Sequence, residues 1–284
     1  MIMKNFIYHI IILLSIYPFT VLGQVKIKQE PVMVKIMNGT GNHNKQLDLG
    51  GLSGIEYSGY ENIYYVVADK PPFRIYTLRI DIGKTIDYQI IDTLIFHDLE
   101  FEAEGIRVID SLSYFFVSDE KNTNTSIYKF MDVNVRKIDA IPSLYKSMQH
   151  NSGYEGIALS TDKSSLYFAI ERPLSNDKRK KCNPNTKPYI SIFEYSIEYD
   201  KIINEFAYPL LNPSKDNGVS EILALNDSVM LVMERAWTNN RSIVSVNAVN
   251  IKAADNILDF ECEIPKDTKF LKPKLLIDFR AIEI

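Results

Sequence analysis

The sequence predicts an all-β protein, a β-propeller of four-stranded blades about 50 residues long. Three observations predict it. Tyr (17) and Phe (14) sit with Ile and Val in short runs broken by Asp, Asn, Gly and Ser, which is strand-and-turn chemistry. Beyond residue 24 no stretch carries a long, capped apolar period of 3.6 residues, as a helix would. The third observation is self-similarity: Gly54, Gly105 and Gly156 are each 51 residues apart and head copies of one pattern.

The first unit runs Gly-Leu-Ser-Gly-Ile (51–55), Ile-Tyr-Tyr-Val-Val-Ala-Asp (63–69), then Phe-Arg-Ile-Tyr-Thr-Leu (73–78). The second runs Glu-Ala-Glu-Gly-Ile (102–106), Ser-Tyr-Phe-Phe-Val-Ser-Asp-Glu (113–120), Ser-Ile-Tyr-Lys-Phe (126–130). The third has Gly-Tyr-Glu-Gly-Ile (153–157), Leu-Tyr-Phe-Ala-Ile-Glu-Arg (166–172) and Ile-Ser-Ile-Phe-Glu-Tyr (190–195). The fourth has Gly-Val-Ser-Glu-Ile (218–222), Val-Met-Leu-Val-Met-Glu-Arg (229–235) and Ser-Ile-Val-Ser-Val (242–246). In each, a first strand reaches Ile, and a nearly continuous apolar strand follows and finishes on a carboxylate. The absence of alternation predicts a second strand covered on both faces. Residues 86–96, 135–141 and 202–210 supply fourth strands. A sandwich is the competing architecture, and four in-phase copies argue against it.

Residues 1–23 read as a leader. Lys4 precedes an apolar run, Phe6 to Leu22, ending Val21-Leu22-Gly23, which suits signal-peptide cleavage after Gly23. The competing reading is a retained anchor, near the lower length limit for a span and interrupted by Pro18. The remainder, 24–284, is one domain with no further segment apolar enough to span a bilayer, so an exported, periplasmic, surface or secreted location is expected. Acidic residues outnumber basic ones 36 to 32, a formal net charge of −4, which argues against nucleic acid as a partner. Two cysteines, Cys182 and Cys262, exclude a disulfide scaffold; pairing and free thiols are both open.

In a propeller, equivalent positions of successive blades converge, and here they are acidic. Glu104, Glu155 and Glu221 lie on first strands, with Ser53 in the matching place of unit one. Asp69, Asp119 with Glu120, Glu171 and Glu234 end the second strands. Clustered carboxylates must bind protons, pair with arginine or hold a cation. Arg172 and Arg235 follow two of them, and Arg74 and Arg107 fall in corresponding segments. The functional reading takes Glu104, Glu155, Glu120 and Glu171 as catalytic groups. It takes Arg172, Arg235, Arg74 and Arg107 as substrate clamps, and Asp69, Asp119, Glu221 and Glu234 as oxygen ligands for a divalent cation, best calcium. The substrate class is a small ester, neutralised and attacked by activated water. The structural reading has the same carboxylates capping strand ends and pairing with arginines between blades.

Other residues carry less. Ser53 resembles a nucleophile elbow, but Ile55 stands where its final Gly belongs. His43, His97 and His150 lack metal-ligand spacing. Lys178–Lys181 reads as a solvated loop. Trp237 either walls a pocket or packs.

Leu-Gly-Gly-Leu-Ser-Gly-Ile (49–55), Ala-Asp (68–69), Val-Ser-Asp-Glu (117–120), Gly-Tyr-Glu-Gly-Ile-Ala-Leu (153–159), Glu-Arg-Pro-Leu (171–174) and Glu-Arg-Ala (234–236), in this order and spacing, resemble the esterase-like phytase family across about 48–280. The resemblance implies an exported, propeller-like protein that hydrolyses phosphate or related esters. Family members continue past a segment like Lys-Leu-Leu-Ile-Asp-Phe (274–279) with another Glu-Gly repeat. The expectation is therefore a last blade that is missing or mostly so, or a ring closed by the N-terminal strand 25–37.

Overall fold

The protein's structure, a computed structural model, describes residues 51–279 apart from 84–85, 120–124, 133, 139–152, 175–176, 178, 180–187, 212–216 and 239–240. The leader, the 25–37 strand, His43, Glu120, His150 and Cys182 lie outside the described residues. Among the described residues, sixteen strands form four antiparallel sheets of four. Blade one is β1 (Leu52–Tyr57), β2 (Ile63–Ala68), β3 (Phe73–Ile82) and β4 (Ile86–Phe96). Blade two is β5 (Ala103–Val108), β6 (Tyr114–Asp119), β7 (Ser126–Met131) and β8 (Asn134–Lys137). Blade three is β9 (Tyr154–Leu159), β10 (Ser165–Ile170), β11 (Ile190–Ser196) and β12 (Lys201–Tyr208). Blade four is β13 (Asn217–Ala224), β14 (Val229–Thr238), β15 (Arg241–Asn250) and β16 (Lys274–Asp278). This is the β-propeller the repeat predicted. Among the described residues no helix is long and apolar enough to cross a membrane.

The core lies between blades. Val67, Phe73 and Ile75 pack against Ala103, Ile106, Phe115 and Val117. Phe116 and Ile127 pack against Tyr154, Ile157, Leu166 and Phe168. Ala158, Tyr167 and Ile192 pack against Val219, Ile222, Met230 and Val232. Every residue of β10 is buried, and all but the first of β6. A strand sandwiched by neighbouring sheets has no solvent face, so its sequence shows no polar alternation.

The repeated glycine marks where innermost strands touch. A methyl group on Gly156 would lie 2.7 Å from the backbone nitrogen of Ile222, in the next blade. Gly54 meets Gly105 the same way, 2.8 Å from its Cα. Backbone cannot step aside as a flexible side chain does, so Gly156→Ala is expected to cost about 1–3 kcal/mol. A lowered midpoint in chemical denaturation with an unchanged slope checks this.

The connection between β15 and β16 is long. It opens with a short 3-10 turn, Ile251–Ala253, and runs along the outer edge of blade three. There Ile257 donates to the Glu205 carbonyl (2.8 Å) and Leu271 to the Ala207 carbonyl (3.0 Å). A blade-four segment thereby covers an edge strand that would otherwise expose unpaired backbone groups. Cys262, on this segment, is disulfide-bonded. The chain's one other cysteine is Cys182.

Candidate functional site

In every blade the end of the second strand pairs with the start of the first. The facing pairs are Leu52 with Ala68, Ala103 with Asp119, Tyr154 with Ile170, and Val219 with Glu234. Asp69, Asp119, Glu171 and Glu234 therefore stand at one end of the ring. Register also breaks at the same place in each first strand: at Ser53, at Glu104, at Glu155–Gly156 and at Ser220. Such bulges re-aim side chains. They also correct one correspondence. Aligned on Ile55, Ile106, Ile157 and Ile222, the counterpart of Glu104 and Glu155 is Ser220. Glu221 occupies the slot held elsewhere by Gly54, Gly105 and Gly156.

That substitution shapes the axis. The Glu221 carboxylate meets the guanidinium of Arg107 at 3.0 Å. Arg107, with a side chain 5% exposed, also lies 3.7 Å from Glu56 of blade one. It donates to the carbonyls of Ile55 (3.3 Å), Ile106 (2.6 Å) and Ile222 (3.4 Å). One arginine thus ties blades one, two and four. Burial pushes the carboxyls of Glu56 and Glu221 up, and Arg107 pulls each only part of the way back. Burial lowers Arg107 too, but the two glutamates outweigh it and its net shift is upward. Arg107 and Glu221, expected as a clamp and a cation ligand, are brought together in this strut.

The strand-end carboxylates differ in how far the protein occupies them. Glu234 accepts from Tyr208 Oη (2.6 Å), Leu211 N (3.1 Å), Asn217 Nδ2 (2.8 Å) and Asn247 Nδ2 (3.2 Å). Burial and the adjacent carboxylate push the Tyr208 phenol up, keeping it a neutral donor. Asp119 accepts from Glu102 N at 2.9 Å. Asp69 sits against Gly51, at φ 75°, where a methyl group would fall 1.8 Å from Oδ1. Asp69 Oδ1 is buried with no hydrogen-bond partner among the described residues. Ser53 donates to the Ala103 carbonyl, a bridge between blades one and two. Arg74 donates to the carbonyls of Pro72 (3.2 Å) and Pro71 (3.1 Å), on its own turn. His97 is exposed.

Glu171 is different. Its buried carboxylate lies 3.4 Å from Arg172 Nε and 3.9 Å from Arg235 Nη2. Val219 N donates to its carbonyl at 2.9 Å, and Gly218 lets the strand beneath approach: a methyl there would be 2.5 Å from that carbonyl. Arg172 and Arg235, from adjacent blades, are 38% and 39% exposed. Two guanidinium groups share this one carboxylate. Each guanidinium carries five N–H donors. Among the described residues these long ion pairs are the arginines' only contacts with charged side chains.

Among the described residues no three His, Cys, Asp or Glu side chains are placed to hold a metal jointly. Of the expected oxygen ligands, Glu234 accepts from four protein donors and Glu221 pairs with Arg107.

Sequence reasoning missed Glu56, Ser220 and the buried group Asp177, Arg179 and Glu205. Counting from the repeated Ile would have found the first two. The third carries no short-range signal. Arg179 lies within the basic run expected to be solvated, yet is 1% exposed.

No curated protein matches the sequence. Among solved structures, the chain resembles Kuenenia stuttgartiensis hydrazine synthase (11% identity, TM-score 0.40, 68% of this chain and 49% of that one). It also resembles a nidogen/laminin complex (12%, 0.42, 79% and 68%) and an endo-arabinase from Bacteroides thetaiotaomicron (12%, 0.40, 76% and 77%). It spans about half the length of the hydrazine synthase chain, and likeness at this level carries no functional weight. Residues 47–284 match the family model Phytase-like, described as esterase-like activity of phytase, and the chain belongs to that family.

Proposed function

We propose that this propeller is an exported ester hydrolase that holds the anionic part of a small phosphate or related ester between Arg172 and Arg235. The observation carrying this reading is the sharing of Glu171 by two part-exposed guanidinium groups, 3.4 and 3.9 Å away. Planar guanidinium groups bind phosphate and carboxylate oxygens in a bidentate manner. Glu171 sets the spacing of the pair. Glu104 and Glu155, at matching bulges of adjacent innermost strands, are the groups of this chain assigned to move the proton of the attacking water. The leader-like run 1–23 and the disulfide at Cys262 support an oxidising, extracytoplasmic compartment.

The test is turnover of 4-nitrophenyl phosphate and 4-nitrophenyl acetate by the purified chain. Arg172→Ala and Arg235→Ala are each expected to raise KM about tenfold or more, from loss of a charged hydrogen bond. Glu104→Gln with Glu155→Gln is expected to lower kcat about 100-fold or more with KM kept. Full activity in that double variant, with unaltered circular dichroism, overturns the catalytic assignment.

A second reading is favoured by the commitment of Glu234 to four protein donors and of Asp119 to Glu102 N. Carboxylates used as caps leave a face that binds an anion without transforming it. Phosphate binding that depends on Arg172 and Arg235, with neither ester turned over, selects this reading.

A further inference from the structure

Trp237 is the chain's single tryptophan and is 52% exposed. Large aromatic side chains are usually well covered in a folded domain, so this one does not serve the core. Strand geometry places it. In β14 successive side chains alternate between faces, so Arg235 and Trp237 share one face, roughly 7 Å apart along the strand. Ala236, between them, points to the other face and is buried. The cross-strand partner of Trp237 is Ser242, a short side chain that is itself exposed. A flat apolar surface therefore stands open beside a guanidinium with few engaged donors, at the ring end where Glu171, Arg172 and Arg235 meet.

We infer that Trp237 is a specificity residue, the platform for a flat apolar group on the alcohol side of the ester, so that the site prefers aryl phosphates to alkyl phosphates. This rests on the arginine pair holding the anion. The geometry separates two tasks. The guanidinium groups of Arg172 and Arg235 take the charged oxygens, and the indole, one side-chain repeat further along the strand, takes what is attached to them. Offset stacking of two aromatic rings corresponds to about threefold to tenfold in affinity.

The experiment measures binding of inorganic phosphate, methyl phosphate and phenyl phosphate by calorimetry, with Trp237 emission as a second readout in the wild type. Phenyl phosphate is expected to quench the emission and to bind about threefold to tenfold tighter than methyl phosphate. Trp237→Leu is expected to equalise the two esters and leave the affinity for inorganic phosphate unchanged. Equal affinities in the wild type, or an aryl preference surviving in Trp237→Leu, overturn the assignment of Trp237 while the arginine site stands. Binding that persists undiminished in Arg172→Ala with Arg235→Ala, or no binding of any of the three compounds, overturns the anion site and this inference with it.

Discussion

Arg179→Met is expected to destabilise the protein by about 3–5 kcal/mol, the usual consequence of removing one member of a buried ion cluster. Arg179 donates through Nη2 and Nη1 to both oxygens of Glu205, at 2.8 and 3.1 Å. Its Nε reaches Asp177 at 3.0 Å, and Nη1 also reaches the Ile257 carbonyl at 3.2 Å. Tyr189 donates to Asp177 (2.6 Å) and Ser191 to Glu205 (2.7 Å). All three charged groups are buried, so methionine leaves two carboxylates without their cation. The same arginine ties the β10–β11 connection of blade three to the β15–β16 connection of blade four, so its loss loosens both.

The pH dependence has a definite sign. Burial raises the Asp177 carboxyl, but the hydrogen bonds from Arg179 and Tyr189 outweigh it and hold it below the ordinary range. A carboxyl lowered on folding stabilises above its unfolded value, about 3.9, and that stability is lost as pH falls through the folded value. In Arg179→Met this contribution is gone at neutral pH. The gap between variant and wild type therefore narrows on acidification below about pH 4, as the wild type loses this contribution. Urea titrations at pH 7 and near pH 3 check this. Adding Asp177→Asn and Glu205→Gln to Arg179→Met is expected to recover part of the loss, because neutral groups need no counter-charge. A loss under 1 kcal/mol in the single variant would remove the cluster from the list of structural supports.

Arg107→Met carries the next largest expected effect, about 3 kcal/mol at pH 7. It removes the only guanidinium between Glu56 and Glu221 among the described residues. Their side chains are 21% and 28% exposed, so water relieves part of the cost. Here the pH trend is opposite. Both carboxyls are raised on folding, chiefly by burial. The stability they contribute is fully present below the unfolded value, about 4.3, and is lost as pH rises through the folded value. Arg107→Met is therefore expected to fall more steeply with rising pH than the wild type. Glu56→Gln, which leaves one carboxylate for one guanidinium, is expected to flatten the fall and to be the more stable protein at pH 8. A Glu56→Gln variant less stable than wild type at pH 8 would show that the second carboxylate is needed.

The sequence by itself determined the architecture. The 51-residue spacing of Gly54, Gly105 and Gly156, and second strands without alternation, both reflect local demands. Close contact of first strands admits no side chain, and a strand covered on both faces admits no polar one. The first demand is written in three of the four copies, Glu221 taking the slot in blade four, and the second in all four. The sequence also placed Arg172 and Arg235 beside strand-end carboxylates.

Only the tertiary structure decided which acids meet which bases. Glu221 reads in the sequence as a companion of Glu104 and Glu155, but in the packed blades it fills the glycine slot and meets Arg107 of blade two, 114 residues away. Glu234 and Glu171 end equivalent strands with the same Glu-Arg sequence, yet one is enclosed by four donors and the other is shared by two arginines. Arg179 lies in a basic run and is buried because Glu205 and Ile257, 26 and 78 residues away, are brought to it by two different blades. Burial and charge pairing depend on distances through space, and those are set only once the blades have packed.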